Sequence, residues 1–161
     1  MPEASPETLP TVLVAGLNCS ARLYGEQIPA LWQFGPVTVA DHRRDDSMAA
    51  MVRRILAAAP PRFALVGLSM GGYVAFEIMR QAASRVAKLA LLDTGARGEA
   101  PERTEQRRPL IALAKSGRFA EILDSQYPTL VHHSRHNDAA LKATVRVYGK
   151  RVNQRLVLSP E

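Results

Sequence analysis

Four short apolar segments in the first two thirds of the chain constrain its fold most strongly. They are TVLVAG (11–16), PVTVAD (36–41), RFALVGL (62–68) and VAKLALLD (86–93). Each segment is apolar on both faces of an extended chain, which is typical of strands buried inside a parallel sheet. Helical patterns separate the segments, and repeated strand–helix–strand units predict an open α/β sheet with right-handed crossovers. We therefore predict an α/β fold with a short, mostly parallel sheet and flanking helices.

The helical patterns between these segments differ in strength. SMAAMVRRILAAA (47–59) begins with Ser47 as its N-terminal cap and repeats apolar residues at helical spacing. A second strong helix is predicted over residues 70–83, and a weaker one over residues 24–34. These are the helices that we expect to flank the sheet.

After Thr94 the alternating pattern gives way to helices alone. Three more helices are predicted, over residues 104–116, 118–126 and 137–150. Gly117 separates the first two, and a turn around Tyr127-Pro128 is expected to end the second. No fifth strand of the sheet is predicted, and the tail RLVLSPE (155–161) holds at most a stub of strand.

Composition excludes several classes of protein. Of the 161 residues, 47% are apolar and 22% are charged, so the chain can bury a core and is a poor match to disorder or a coiled coil. The N-terminal MPEASPETLP lacks the features of a signal peptide, and no apolar run approaches the roughly 20 residues that cross a bilayer. We therefore expect a soluble, cytoplasmic protein that does not bind membranes. Cys19 is the only cysteine, which excludes an intramolecular disulfide and a cysteine-rich zinc site, and no metal or cofactor is expected.

The net charge of +6 raises the possibility of nucleic-acid binding. Nearly all of the excess lies between Arg97 and Arg155, in helical sequence that carries both signs of charge. Because no DNA- or RNA-binding module is recognisable there, a solvated arginine-rich helical surface is the better interpretation. We do not expect nucleic acid to be a partner.

The sequence Gly67-Leu68-Ser69-Met70-Gly71 has the pattern G-x-S-x-G between a predicted strand and a predicted helix. A serine on such a sharp turn has a strained backbone and requires small neighbours, which the two glycines provide. The N-terminus of the helix then directs backbone N–H groups toward negative charge that develops near Ser69. The alternative is a small-residue turn in another α/β family. A dinucleotide site is less consistent, because serine stands where that fingerprint needs its second glycine.

Four stretches of the chain resemble the N-terminal part of the α/β-hydrolase fold, in its branch of small bacterial esterases and carbon–carbon hydrolases. They are LVAGLNCSARLYGEQIPAL (13–31), VTVADHR (37–43), FALVGLSMGGYVAFEIM (63–79) and VAKLALLDTGAR (86–97). The resemblance implies that residues 1–97 form the core, with strands three to six of that fold. It also implies that residues 98–161 form a helical, lid-like segment and that the final strands are missing.

The resemblance also implies roles for individual residues. Ser69 matches the nucleophile, and Met70 and Leu17 match the residues whose backbone N–H groups form the oxyanion hole. Gly67 and Gly71 match the glycines of the elbow. The implied function is hydrolysis of a small ester or related acyl substrate through an acyl-enzyme at Ser69.

The rest of the catalytic triad has no match. Members of the family place the acid and the histidine after later strands, beyond the lid, so the resemblance assigns neither residue here. Asp93, at the end of the strand after the elbow, is the candidate acid, and the alternative is a turn or helix-capping aspartate. His132, His133 and His136 are candidates for the base, and a solvated turn is the alternative. Weak or incomplete activity is therefore expected; the other possibility is an inactive remnant or interaction protein of the same fold.

Three further residues or segments complete these expectations. His42 follows the second predicted strand, at the sheet edge where the candidate site residues collect. We expect it either to contact side chains of the site without touching the substrate or to lie at the surface. Cys19 is expected to line the mouth of the oxyanion loop or to pack as a small residue. The segment KLALLD (88–93) is expected to be an edge strand with exposed apolar faces, so we predict self-association or a second chain that covers it.

Overall fold

The computed structural model describes residues 8–98 and 101–149. Within these ranges one sheet has the strand order β2-β1-β3-β4, and every neighbouring pair is parallel. Its strands are β1 (Thr11–Val14), β2 (Val37–Val39), β3 (Phe63–Leu68) and β4 (Val86–Leu92). All four predicted strands and the parallel α/β class are thus confirmed.

The helices follow the predicted order. They are α1 (Ile28–Leu31), α2 (Met48–Ala58), α3 (Met70–Ala82), α4 (Pro101–Lys115), α5 (Phe119–Leu130) and α6 (Ala139–Gly149). Short 3₁₀ turns occur at Ala21–Tyr24, Trp32–Phe34, Ala83–Arg85 and His133–Arg135. The weak helix predicted over residues 24–34 is therefore broken into a 3₁₀ turn, α1 and a second 3₁₀ turn. The tail at 155–161 lies outside the described residues.

The main core lies between the sheet and helices α2 and α3. Alternate strand residues face it, including Val12 and Leu65, which pack with Val52 of α2 and Val74 of α3. The opposite face of β1 packs Leu13 against a smaller cluster that surrounds the first 3₁₀ turn and α1. Because side chains alternate between the faces of a strand, burial on both sides requires the continuous apolar runs seen in the sequence.

Local signals explain where α2 begins and how its end is held. Ser47 accepts a hydrogen bond of 3.4 Å from the N–H of Ala50, so it is the predicted N-terminal cap. At the other end, the Arg85 guanidinium donates to the carbonyl oxygens of Leu56 and Ala59, at 3.0 and 2.7 Å. A cation that binds these carbonyls stabilises the negative end of the helix dipole and joins α2 to the start of β4.

The turn predicted around Tyr127-Pro128 is wrong, because α5 continues through both residues to Leu130. Pro128 removes one helical N–H near the end of the helix, which is a small loss there. Tyr127 is only 2% exposed, and its hydroxyl donates to the carbonyl oxygens of Arg135 and Asp138, at 2.8 and 3.2 Å. This buried side chain therefore joins the end of α5 to the turn that follows it.

Strand β4 has apolar side chains at the surface. In the described part of the chain it pairs only with β3, and Leu89, Leu91 and Leu92 are 40%, 38% and 44% exposed. The exposed apolar side chains that the sequence predicts for β4 are therefore observed. Among the described helices, none has the length and apolar character that a membrane crossing requires.

Candidate active site

Ser69 lies at the junction of β3, which ends at Leu68, and α3, which begins at Met70. Its backbone angles are φ 51° and ψ −117°, in a region that residues with a side chain rarely adopt. The serine is exposed although the residues on both sides are at least partly buried. The sharp turn therefore presents the Ser69 side chain above the end of the sheet, as the G-x-S-x-G pattern predicts.

The two glycines of the motif allow backbones to approach closely. A Cβ atom at Gly67 would collide with the carbonyl of Gly71, and a Cβ atom at Gly71 would collide with the carbonyl of Val14. Neither obstacle is a flexible side chain that can move away. Any larger residue would therefore displace either the elbow or strand β1 from its place beside Ser69.

Hydrogen bonds to the main chain of Ser69 hold the elbow in place. The N–H of Ser69 donates to the carbonyl oxygen of Leu92 at 2.9 Å, in register with the end of β4. Its carbonyl oxygen accepts from the N–H of Gly72 and from the hydroxyl of Thr94, both at 2.8 Å. Thr94 also packs against Gly72. Sequence reasoning missed this role of Thr94, because nothing in its local pattern indicates a partner on another element.

The two predicted oxyanion residues lie on either side of Ser69. Met70 is the first residue of α3, whose N-terminus carries partial positive charge. Leu17 follows Gly16, where an added Cβ would be 3.2 Å from the Cβ of Ser69, so this loop passes beside the serine. The N–H groups of Leu17 and Met70 have no hydrogen-bond acceptor among the described residues, which leaves them available for a ligand.

A large cleft of about 960 Å³ opens over Ser69. Helices α4 and α5 form one wall and contribute four aliphatic side chains: Leu110, Ile111, Ile122 and Leu130. The core contributes Leu17, Met70 and Asp93 to the same cleft. The helical segment after the sheet therefore lines the cleft that contains Ser69, and its four aliphatic side chains are suited to contact an acyl chain.

Asp93, the candidate acid, lies in this cleft with Ser69. It is exposed and has φ 43°, a left-handed conformation that aspartate tolerates better than most residues. The turn interpretation of Asp93 is therefore compatible with the conformation that the structure gives it. Arg107 of α4 is the other charged residue among those that line the described cleft.

The histidines proposed as bases lie elsewhere. His132, His133 and His136 are exposed, and in the described residues no histidine lines the cleft. The ring centroids of His132 and His133 are 3.9 Å apart, and the His132 Nδ1 atom is 2.9 Å from the Ser134 hydroxyl. This local arrangement matches the solvated turn that was the alternative interpretation.

His42 and Cys19 line a separate hollow of about 260 Å³ on the other side of the oxyanion loop. His42 is only 2% exposed, so the expectation of a surface position is wrong; the loop after β2 folds inward there. Burial raises the pKa of the Cys19 thiol. A hydrogen bond with the backbone of Gly16 lowers the pKa, but this effect is smaller than that of burial. Such a thiol is protonated at neutral pH, as expected of a packing residue rather than a nucleophile.

No group of histidine, cysteine or acidic side chains in the described ranges is arranged to hold a metal ion. The reactive and binding groups of the cleft include the Ser69 hydroxyl, two N–H groups without an acceptor among the described residues, the charged side chains of Asp93 and Arg107, and aliphatic side chains from α4 and α5.

Several solved structures with similar folds are described as hydrolases. A thermophilic esterase from Thermogutta terrifontis, studied with malate bound, superposes with a TM-score of 0.76 and 25% identity over 94% of this chain and 61% of that chain. An enol-lactonase from Burkholderia xenovorans LB400 gives a TM-score of 0.80 with 19% identity, over 94% of this chain and 63% of the enzyme. A hydrolase from Pseudomonas aeruginosa PA01 gives 0.73 and 17%, over 97% and 63%. The chain thus spans less than two thirds of the length of each.

Comparison with curated proteins finds no match. The model of the Thioesterase domain family, in contrast, matches residues 28–155, which is well over half of the chain. The match includes the elbow at Ser69, strand β4 and the helices that cover the cleft. The protein therefore belongs to the Thioesterase domain family and has a partial α/β-hydrolase fold.

Proposed function

We propose that the protein is a serine hydrolase that acts on small esters or related acyl substrates, including thioesters, through an acyl-enzyme at Ser69. One observation carries the proposal: an exposed serine with φ 51° stands between a parallel strand and a helix N-terminus, on the floor of an apolar cleft. The family match and the esterase and lactonase among the structural neighbours support the same reaction class.

In this reaction the Ser69 oxygen forms a bond to the acyl carbon, and the carbonyl oxygen becomes negatively charged. The N–H groups of Leu17 and Met70 are the donors available to stabilise that charge. The bond to the leaving group then breaks, and the alcohol or thiol departs with the proton that the Ser69 hydroxyl has lost. Water hydrolyses the acyl-enzyme and restores the serine. We propose Asp93, which lines the same cleft, as the acid of the site, where it would orient a general base and stabilise its positive charge.

No histidine lines the cleft among the described residues, so the described site contains no candidate general base. A serine hydroxyl is almost fully protonated at neutral pH and reacts poorly without a base. Oxyanion stabilisation and substrate binding alone can retain an acceleration of roughly 10³ to 10⁴ when triad members are removed. We therefore propose weak hydrolysis for this chain.

A second function is favoured by the absence of histidine from the lining of the described cleft. In this alternative the chain is an inactive member of the fold that binds a ligand or a protein without chemistry. The two proposals differ in a single property, the reactivity of Ser69.

A fluorophosphonate probe tests that property directly, because it reacts covalently with an activated serine. We expect the folded protein to be labelled and the Ser69→Ala variant to remain unlabelled. Ser134→Ala is the matched control, since Ser134 has a histidine partner at 2.9 Å but lies outside the cleft. Labelling that persists in Ser69→Ala, or absence of labelling in a folded wild-type protein, would contradict the proposed hydrolase.

A further inference from the structure

Asn18 is a buried polar residue in the wall of the active-site cleft. It is 9% exposed and lines the cleft beside Leu17 and Ser69. Its Oδ1 atom is buried and has no hydrogen-bond donor among the residues that the structure describes. A buried acceptor loses its hydration without a replacement, which disfavours the folded state, so such a group needs an explanation.

The conformation of the loop explains only in part why asparagine stands at position 18. Asn18 has φ 60° and is the third residue of a turn that closes with a 3.2 Å hydrogen bond from the Cys19 N–H to the Gly16 carbonyl. Asparagine tolerates this conformation, but glycine adopts it at lower cost and carries no side chain to bury. The turn therefore accounts for the backbone of Asn18 and not for its amide group.

We propose that Asn18 is a specificity residue that forms a hydrogen bond with a hydroxyl on the acyl group, close to the reacting carbonyl. This inference rests on the proposed function, because it takes the cleft as the acyl site. Asn18 directly follows Leu17, whose free N–H is a proposed donor to the carbonyl oxygen. A substituent on the neighbouring carbon of the acyl group is thus held near the loop that carries the amide.

The chemistry of the amide suits a hydroxyl in particular. Oδ1 is inaccessible in its present orientation, but no hydrogen bond holds it there, so rotation about the last side-chain bond can exchange the positions of the oxygen acceptor and the N–H₂ donor. A hydroxyl is both donor and acceptor, so it can pair with either orientation. Met48, Met70 and Leu91 line the same cleft, and a hydrogen bond formed beside such apolar side chains is stronger than one in water. The substrate class is therefore a short hydroxyacyl ester or thioester.

Two esters of equal chain length test the preference. We expect wild-type kcat/KM to be higher for ethyl 2-hydroxybutyrate than for ethyl butyrate by roughly tenfold, as one hydrogen bond allows. In Asn18→Gly, which preserves the positive φ, the ratio should fall toward one. Asn137→Gly is the matched control, because it makes the same replacement in an exposed turn outside the cleft. A ratio that is the same in wild type and Asn18→Gly would overturn the inference.

A binding measurement separates this inference from the proposed hydrolysis. Calorimetry of Ser69→Ala with 2-hydroxybutyramide and butyramide requires no catalysis. A preference for the hydroxyamide that disappears on adding Asn18→Gly supports the role of Asn18 even if fluorophosphonate labelling fails. Equal binding of the two amides contradicts it even if Ser69 is reactive.

Discussion

The hydroxyl of Thr94 donates a hydrogen bond of 2.8 Å to the carbonyl oxygen of Ser69. Thr94 follows β4, whereas Ser69 follows β3, so this bond joins the ends of two neighbouring strands at the elbow. Together with the bond from the Ser69 N–H to Leu92, it fixes both sides of a residue whose φ is strained. The orientation of the serine therefore depends on the strand that follows it.

Replacement of Thr94 by valine should misplace the serine while leaving the fold intact. Valine has nearly the same shape but no hydroxyl, so we expect a loss of about 1 kcal/mol in stability. We expect a larger effect on reactivity, with Ser69 labelled about tenfold more slowly by the fluorophosphonate probe, because a small displacement is enough to slow attack. Thr94→Ser retains the hydroxyl and is the control. Equal labelling rates in both variants would show that the bond does not position Ser69.

Replacement of Gly71 by alanine should destabilise the whole fold. The added Cβ collides with the carbonyl of Val14, which lies in a buried strand and cannot move without disturbing the sheet. We expect a loss of about 3 kcal/mol, at the upper end for an overpacked site, measured by urea unfolding. Gly98→Ala is the matched control, because a Cβ there meets no atom within 4 Å. Similar stability of the two variants would mean that the close approach is easily relaxed.

The parts of the fold that could be predicted from the sequence are those with a local cause. Strand β3 and helix α3 are determined by apolar spacing on their own residues, and Ser47 caps α2 through an atom three residues away. Thr94 could not be identified in this way, because its partner is 25 positions earlier in the chain. The same holds for Tyr127, whose carbonyl partners Arg135 and Asp138 lie 8 and 11 positions later in the chain.

The same distinction between local and distant causes applies to the candidate site. The position of Ser69 and Met70 between β3 and α3 could be predicted from the motif, because strand, turn and helix are all local features. The buried positions of His42 and Asn18 depend on how loops fold over the sheet edge, which no periodic pattern records. The positions of His132, His133 and His136 outside the lining of the cleft likewise depend on how the helices pack, which their local sequence does not indicate.

Tyr24 should make stability depend on pH in the alkaline range. Burial, with a smaller contribution from nearby Cys19, raises its pKa to about 12, and its hydroxyl donates to the Val14 carbonyl at 3.0 Å. An unfolded tyrosine ionises near pH 10, so between about pH 10 and 12 the folded state keeps a proton that the unfolded state has lost. The contribution of Tyr24 is therefore complete below pH 10 and is lost as the pH rises to about 12.

The Tyr24→Phe variant checks this sign. Below pH 9 it should be less stable than wild type by about 1 kcal/mol, because it lacks the hydrogen bond. Above pH 10 the difference should shrink, since phenylalanine has no proton to lose. The variant should also lack the step near pH 12 that we assign to Tyr24 in the tyrosinate absorbance titration. A constant difference in stability across this range would show that the phenol ionises alike in both states.

The exposed side chains of β4 should make this polypeptide self-associate. Leu89 is 40% exposed on a strand that, in the described residues, pairs on one side only, so it can meet the same strand of a second copy. We expect light scattering to show a mass that increases with protein concentration, and we expect Leu89→Lys to reduce it. Val147→Lys is the matched control, because Val147 is 39% exposed on α6, away from the sheet. Equal effects of the two lysines would point to general solubility, and a concentration-independent monomer would exclude pairing through β4.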